Sequence, residues 1–376
     1  MQKTVLALSV AAALAVPGLA SAQAPAPAVP TLDKIFEASG ITMTGYIDAG
    51  YTHANRDIET GFSTRVFDAQ NNSFVLHQVG FQVAKQPKEG VGGLVNVTAG
   101  KDAGVMHSTP ANEATWDLTQ GYLQYATGPL TVIGGKYVTL HSTEVIWSPS
   151  NANVSRSILF GSVPFTHTGV RATYAVSDTL SLMGGVNNGW DQLVDVNKGK
   201  TLELGAMTTP IKPLMMMVSV MSGKEPGTVL GVSGTRSSLN FVATYTVMEP
   251  LSVGFEFLRV SQKDAVTNGA GGTKDGTYSG VAAYLSYTFM PKMKLSLRGE
   301  ALNDKDGFRF ANAAAIAGTT GTKHKEFTAT LAYLAADNFE LRGELRSDRA
   351  DQAVYTDGSG MSKSLLTCAI QALYKF

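Results

Sequence analysis

From residue 41 to its last residue the chain alternates apolar and polar side chains with a period of two, in sixteen successive segments. In 41–53, Ile41, Met43, Ile47, Ala49 and Tyr51 share one face, and Thr42, Thr44, Asp48 and Thr52 the other. Near the end, Phe339, Leu341, Gly343 and Leu345 oppose Glu340, Arg342, Glu344 and Arg346. This is the period of strands, not helices. Four charges behind an apolar face make a strand that separates water from a nonaqueous phase. The segments are 41–53, 73–85, 91–100, 117–127, 130–137, 165–177, 179–187, 200–209, 212–222, 237–248, 250–261, 277–289, 292–302, 324–335, 338–347 and 364–376.

The connections constrain the fold further. After each even segment the link is short, as at Gln86 to Gly90, Gly128-Pro129, Asp178, Pro210-Ile211, Glu249, Met290-Pro291 and Asp337. After each odd segment it is long: 54–72, 101–116, 138–164, 188–199, 223–236, 262–276, 303–323 and 348–363. Short turns at one end and long loops at the other are the mark of an outer-membrane β-barrel, with periplasmic turns and extracellular loops. A soluble sandwich has no reason to sort its loops by side. The reading is an all-β, transmembrane, antiparallel barrel of 16 strands, with 14 and 18 as the alternatives.

Aromatic residues repeat the message. Phe81, Tyr125, Tyr174, Tyr245, Tyr287, Phe289, Tyr333, Tyr374 and Phe376 lie near the turn ends of even segments, on the apolar parity. That predicts a girdle at headgroup level. The final run, ending in Tyr374 and Phe376, resembles the terminal signal read by the barrel-assembly machinery. A few positions misfit: His77 falls on the lipid parity, and Val242, Leu258, Leu302 and Leu334 on the lumen parity. Local bulges or apolar patches in the lumen would account for them.

The first 40 residues obey other rules. Lys3, an apolar run from Val5 to Val16, a Pro17-Gly18 break and Ala20-Ser21-Ala22 make up a secretory signal peptide over 1–22, cut between Ala22 and Gln23. An Ala/Pro tether and a short helical turn, Leu32 to Ala38, fill 23–40 before the barrel domain, 41–376. The protein is therefore expected in the outer membrane of a Gram-negative cell. Balanced charge, 30 basic against 30 acidic residues, excludes a nucleic-acid partner. The single cysteine excludes a disulfide framework. Cofactors, metal sites and catalytic residues are not expected: none of the six histidines pairs in a metal-binding motif.

About 16 strands leave room for an aqueous channel. The polar parity supplies candidate pore-lining residues: Arg171, Glu203, Glu256, Lys294, Arg298, Glu300, Arg342, Glu344 and Arg346. Such charges read as water-facing. Arg298, Glu300, Arg342, Glu344 and Arg346 form either a charged ladder that sets a transverse field or ion pairs that fix the wall. The longest loop, 138–164, holds Glu144, Trp147, Asn151, Asn153 and Arg156 and is the candidate constriction. The function expected is a porin, a passive diffusion channel for small hydrophilic solutes and ions, with homotrimerisation by analogy. An adhesin or structural barrel is the alternative. A rim hydrolase using His141, Ser142, Glu144, Ser155, Ser157 and His167 is a weaker one, because no nucleophile-elbow motif is present.

The stretches Asn153-Val-Ser-Arg-Ser-Ile-Leu-Phe-Gly161 and Pro164-Phe-Thr-His-Thr-Gly-Val-Arg-Ala-Thr-Tyr174 resemble the outer-membrane beta-barrel porin-2, OmpL-like family. Gly45-Tyr-Ile-Asp48, His77-Gln78 and Asn188-Gly-Trp-Asp191 with Asn197 fit the same pattern. The resemblance implies a porin-like barrel over 41–376 and no catalytic residues. It would place Arg156, Thr166, His167, Thr168 and Arg171 near the pore.

Overall fold

The computed structural model describes residues 32–58, 62, 64–108, 114–316, 318–357 and 360–376. The signal peptide expected over 1–22, its expected Ala22–Gln23 junction and the expected Ala/Pro tether lie outside them. The chain divides into Met1–Ser39 and Gly40–Phe376. In the first unit α1 (Leu32–Ser39) forms where the helical turn was expected, and the Ser39 hydroxyl donates to the Phe36 carbonyl at its end (2.9 Å).

The second unit is a closed antiparallel barrel of sixteen strands. They are β1 (Thr42–Ala54), β2 (Ser73–Lys85), β3 (Gly90–Ala99), β4 (Trp116–Thr127), β5 (Leu130–Val138), β6 (Thr166–Ser177), β7 (Leu180–Asn187), β8 (Thr201–Ile211), β9 (Leu214–Pro226), β10 (Ser233–Met248), β11 (Leu251–Thr267), β12 (Thr273–Met290), β13 (Met293–Asp304), β14 (Thr322–Ala336), β15 (Phe339–Ala350) and β18 (Ser364–Lys375). The loop before β18 carries its own hairpin, β16 (Tyr355–Asp357) and β17 (Gly360–Ser362). Two short helices, α2 (Ala103–Met106) and α3 (Ala311–Ile316), sit in long loops. The ring closes where β1 pairs with β18, from Tyr46 opposite Lys375 to Ala54 opposite Thr367. Backbone bonds between Gly45 and Phe376 (2.7 and 2.9 Å) finish the seam. Closure leaves no strand edge unpaired, which a bilayer demands.

The alternation becomes two surfaces. On β15, Leu341 (43% exposed) and Leu345 (60%) face outward, while Arg342, Glu344 and Arg346 are at most 4% exposed on the inner wall. Every aromatic of the expected girdle is exposed on the outer face. Cys368 is exposed there too.

Two departures from the sequence reading have physical causes. The hairpins β9–β10 and β11–β12 run several residues beyond their expected ends, leaving links of 227–232 and 268–272. Backbone pairing continues there after the lipid ends. The outer face is then wet, so polar pairs such as Lys263–Asp275 (2.6 Å) replace the apolar period that marks a strand in sequence, while Ala265 and Val266 stay buried on the inner side. His77 lies not on the lipid face but inside. Asp48 pairs with Gln78 and Ala49 with Leu76, so His77 is the extra residue of a bulge and both His77 and Gln78 turn inward. Its ring meets Asp102 (3.2 Å).

The lumen also holds an apolar core. Ile58 and Phe62 of the first loop, Ile158, Leu159 and Val163 of the loop after β5, and Phe308 and Phe310 after β13 pack against Leu258, Val260 and Leu302 of the wall. Leu258 and Leu302 misfit an aqueous lumen because loop side chains cover them.

Candidate functional site

The site is built by the loop 139–165, which enters the barrel and is held by side chains of the wall. A loop brought inside loses water at its backbone amides and must find acceptors, since each buried unsatisfied group costs about 1–3 kcal/mol. The inner wall supplies carboxylates. Glu300 accepts from the N–H groups of Ile158 (2.6 Å) and Leu159 (3.0 Å). Glu344 accepts from those of Val154 (2.7 Å) and Ser155 (3.1 Å), and from the Thr330 hydroxyl (2.7 Å). Glu256 accepts from Thr143 N–H (3.0 Å), and Asn240 beside it from Ser142 N–H (3.0 Å). Ser142 turns through a left-handed conformation (φ 81°) to make that approach.

Arg298 is the centre of the clasp. Its guanidinium donates to Glu144 (2.7 Å) and to the Ser155 carbonyl (2.7 Å) in the loop, and to Glu326 (3.0 Å) on β14. Glu144 uses its other oxygen to accept from Ser157 N–H (2.7 Å). Arg346 donates to the Arg156 carbonyl (2.6 Å) and pairs with Asp348 (2.8 Å). Asp348 also binds Arg65 of the first loop (2.7 Å). Arg342 reaches the Asn153 carbonyl (3.4 Å) and Gln371 (3.2 Å), and Asn153 donates to Thr330 (2.7 Å).

The candidate residues thus fall into distinct roles. Arg171, Glu203, Glu256, Arg298, Glu300, Arg342, Glu344 and Arg346 stand on the inner wall, as their parity requires. They are buried rather than bathed by pore water; Lys294 is half-buried. Buried charge is tolerable when paired as well as when wet, and the loop provides the pairing. Arg171 and Glu203 form a two-point pair (2.8 and 2.8 Å) beside Tyr137, behind the start of the loop. The ladder on β13 and β15 is spent on the loop and neighbouring strands. Arg156 and Asn151 brace the loop from within: Arg156 donates to the carbonyls of Val145 (3.0 Å), Ile146 and Val154 (3.2 Å each), and Asn151 to those of Val145 and Trp147 (2.9 Å each).

The loop leaves cavities on both sides. Toward the turns, Trp147, Pro149 and Ser150 face a space of about 450 Å³ that Thr44, Gln82 and Lys375 also line. Thr143, Glu144, Asn151 and Asn153 face another of about 160 Å³ against Tyr284. Toward the loop end lies a vestibule of about 340 Å³ lined by Trp190, Asp191, Arg236, Tyr278, Phe308 and Arg309 among others. The motif containing Trp190 and Asp191 was visible in sequence. Arg236 and Arg309 were not: each is a single basic residue at or beyond a strand end, where periodicity carries no signal.

The rim group considered for catalysis is engaged in contacts that brace the loop. The two ring nitrogens of His141 meet the hydroxyls of Ser219 (2.7 Å) and Ser238 (2.8 Å), and burial pushes its pKa down to about 3. Glu144 is occupied by Arg298 and Ser157. His167 meets the Gly189 carbonyl (3.1 Å) and Thr139 (3.3 Å), and Thr166 meets Ser108 (3.0 Å). Among the described residues no cluster of three metal-ligating side chains occurs.

A closed sixteen-strand barrel, greasy outside and charged inside, with one loop clasped into its lumen, is the architecture of an outer-membrane channel. The chain belongs to the beta-barrel porin-2, OmpL-like family, whose profile matches residues 40–376, and its place is the outer membrane. Solved structures agree on the fold. The outer membrane channel DcaP of Acinetobacter baumannii superposes with a TM-score of 0.62 at 15% identity, over 89% of this chain and 97% of that one. The anion-selective porin from Comamonas acidovorans gives 0.61 at 11%, over 89% and 99%. OmpT of Vibrio cholerae gives 0.60 at 12%, over 89% and 97%. Among curated proteins no match to the chain is found.

Proposed function

We propose that this porin passes small hydrophilic solutes and ions by passive diffusion, and that the segment 139–165 sets the narrowest cross-section. The observation that carries the reading is the clasp of Arg298, Glu300 and Glu344 on the loop backbone, which holds a chain segment across a lumen otherwise wide enough for water. Residues 1–22 serve export, with cleavage between Ala22 and Gln23; 23–40 form a periplasmic tether and 41–376 the barrel domain. The barrel acts without catalysis or cofactor. Tyr374 and Phe376 present the last strand to the assembly machinery. The protein works as a homotrimer, a form that OmpT of Vibrio cholerae takes. A shallow apolar recess over Gly50, Gly343 and Ala372 on the outer face gives a neighbouring barrel room to approach.

Reconstitution in planar bilayers tests the channel: discrete conductance steps are expected. Deleting 144–156 should raise the conductance and the size cutoff, and unchanged values would remove the loop from the constriction. Phe376→Ser should lower the yield of assembled barrel in the membrane, because the ring is lost while the Gly45 seam bonds remain available; normal insertion would refute the assembly role. The apolar core inside the mouth favours a second reading, a barrel plugged by its own loops with an adhesive or structural role. A correctly inserted but electrically silent barrel would select it.

A further inference from the structure

We propose that the vestibule at the loop end is a binding site for small organic anions, held by Arg236 and Arg309. Its position on the solute path rests on the channel reading above; the binding itself does not.

The argument starts from what these two arginines lack. Among the described residues, neither guanidinium has a carboxylate within 4.0 Å, whereas those of Arg65, Arg171, Arg298, Arg342 and Arg346 each do. Arg236 donates to the Gln262 side-chain oxygen (2.6 Å) and the Pro226 carbonyl (2.9 Å). Arg309 donates to the Ser162 hydroxyl (3.3 Å) and the Gly161 carbonyl. All four acceptors are neutral. Each guanidinium has five N–H donors, so both retain donors after these bonds.

Acids are present nearby: Glu225 and Asp304 have both oxygens engaged elsewhere, and Asp191 uses Oδ1 alone, its Oδ2 making no hydrogen bond among the described residues. Asp191, in the vestibule wall, accepts from the N–H groups of Phe165 (2.7 Å) and Thr166 (2.9 Å). Glu225 accepts from Trp190 N–H (3.1 Å), the Gln192 amide (3.2 Å) and the Thr201 hydroxyl (2.6 Å). Asp304 accepts from the N–H groups of Phe308 (2.9 Å), Arg309 (3.1 Å) and Phe310 (2.7 Å). These carboxylates shape the loops and act on the arginines only through space, with no direct ion pair to either guanidinium.

Aromatic rings hold the guanidinium groups in place. Arg236 lies over both Trp190 (4.7 Å to the ring centroid) and Phe308 (5.3 Å), and Arg309 over Phe310 (4.9 Å). Both remain half-buried, so a ligand can reach them. A planar guanidinium fixed in this way matches the two oxygens of a carboxylate. The cavity, about 340 Å³, is at the small end of ligand sites. The remaining wall sets the apolar Val66, Val105, Val163, Phe165 and Tyr278 beside Gly161, Ser162 and Asp191. One carboxylate on a compact ring satisfies both halves of this surface.

Benzoate is the probe. Titrated into the intact barrel in detergent and followed by calorimetry and Trp190 fluorescence, it should bind saturably. R236Q/R309Q should weaken that binding at least about tenfold, the loss expected for charge-assisted hydrogen bonds. Should the double variant fail to assemble, R309Q alone is read, with a weakening of about threefold expected from one lost fork. Absence of saturable binding to the wild type, or unchanged affinity in the variant read, overturns the site. Conductance of the same preparations separates the two proposals. Ion steps without benzoate binding leave the channel and sink the site; benzoate binding by a silent barrel does the reverse.

Discussion

Arg298 and Arg236 stand on the inner wall of one barrel and point into the same lumen, yet their surroundings differ completely. Arg298 is fully buried between Glu144 and Glu326, and the loop backbone closes over it. Arg236 lies half-buried between two aromatic rings and meets only neutral acceptors. The difference shows that parity places a charge but its counter-ion decides its use. A charge with a buried partner becomes a fastening; one that meets only neutral acceptors stays available to a ligand.

The sharpest way to break the comparison is Arg298→Met. It strands Glu144 without its cation and leaves Glu326 only Arg346 at 4.0 Å, and removing one partner of a buried pair costs about 3–5 kcal/mol. The loop should come loose, seen as a lower denaturant midpoint in detergent and a noisier, larger conductance. Wild-type stability would show that the clasp does not hold the loop.

A pH titration probes the clasp at its start. Burial holds His141 near a pKa of about 3, below the ordinary value of 6.5. The folded state therefore binds fewer protons than the unfolded state between these values. Stability contributed by the neutral ring is complete above pH 6.5 and falls on acidification toward pH 3, by roughly 1 kcal/mol per pH unit. His141→Asn should flatten that slope in the unfolding midpoint; an unaltered slope would assign it to other groups.

Arg309→Gln is the smallest perturbation. It removes a cation bound only to neutral oxygens, so the unfolding midpoint should shift by under about 1 kcal/mol, the scale of an ordinary hydrogen bond. The reversal potential in a salt gradient should still move toward cations. A stability loss matching that of Arg298→Met would erase the distinction between fastening and vestibule.

Much of this was legible beforehand. Strand number, the sorting of turns and loops, and the outward girdle follow from period two, because lipid and water reward opposite chemistries residue by residue. The loop 138–164 stood out by length. Less visible were the bulge at His77, which depends on how β1 and β2 pair, and the extra pairing at Lys263–Asp275, where the outer face meets water. Leu258 and Leu302 looked out of place until Ile158 and Leu159 were seen to cover them.

The sequence by itself determined which side of each strand meets lipid, since that choice is local and repeats every two residues. Only the tertiary structure decided what the inner charges do. Glu300 and Ile158, or Arg298 and Glu144, are separated by more than a hundred residues and meet because the loop after β5 folds back into the ring. No periodicity encodes a meeting of that kind, because its energy comes from partners that become neighbours once the barrel has closed.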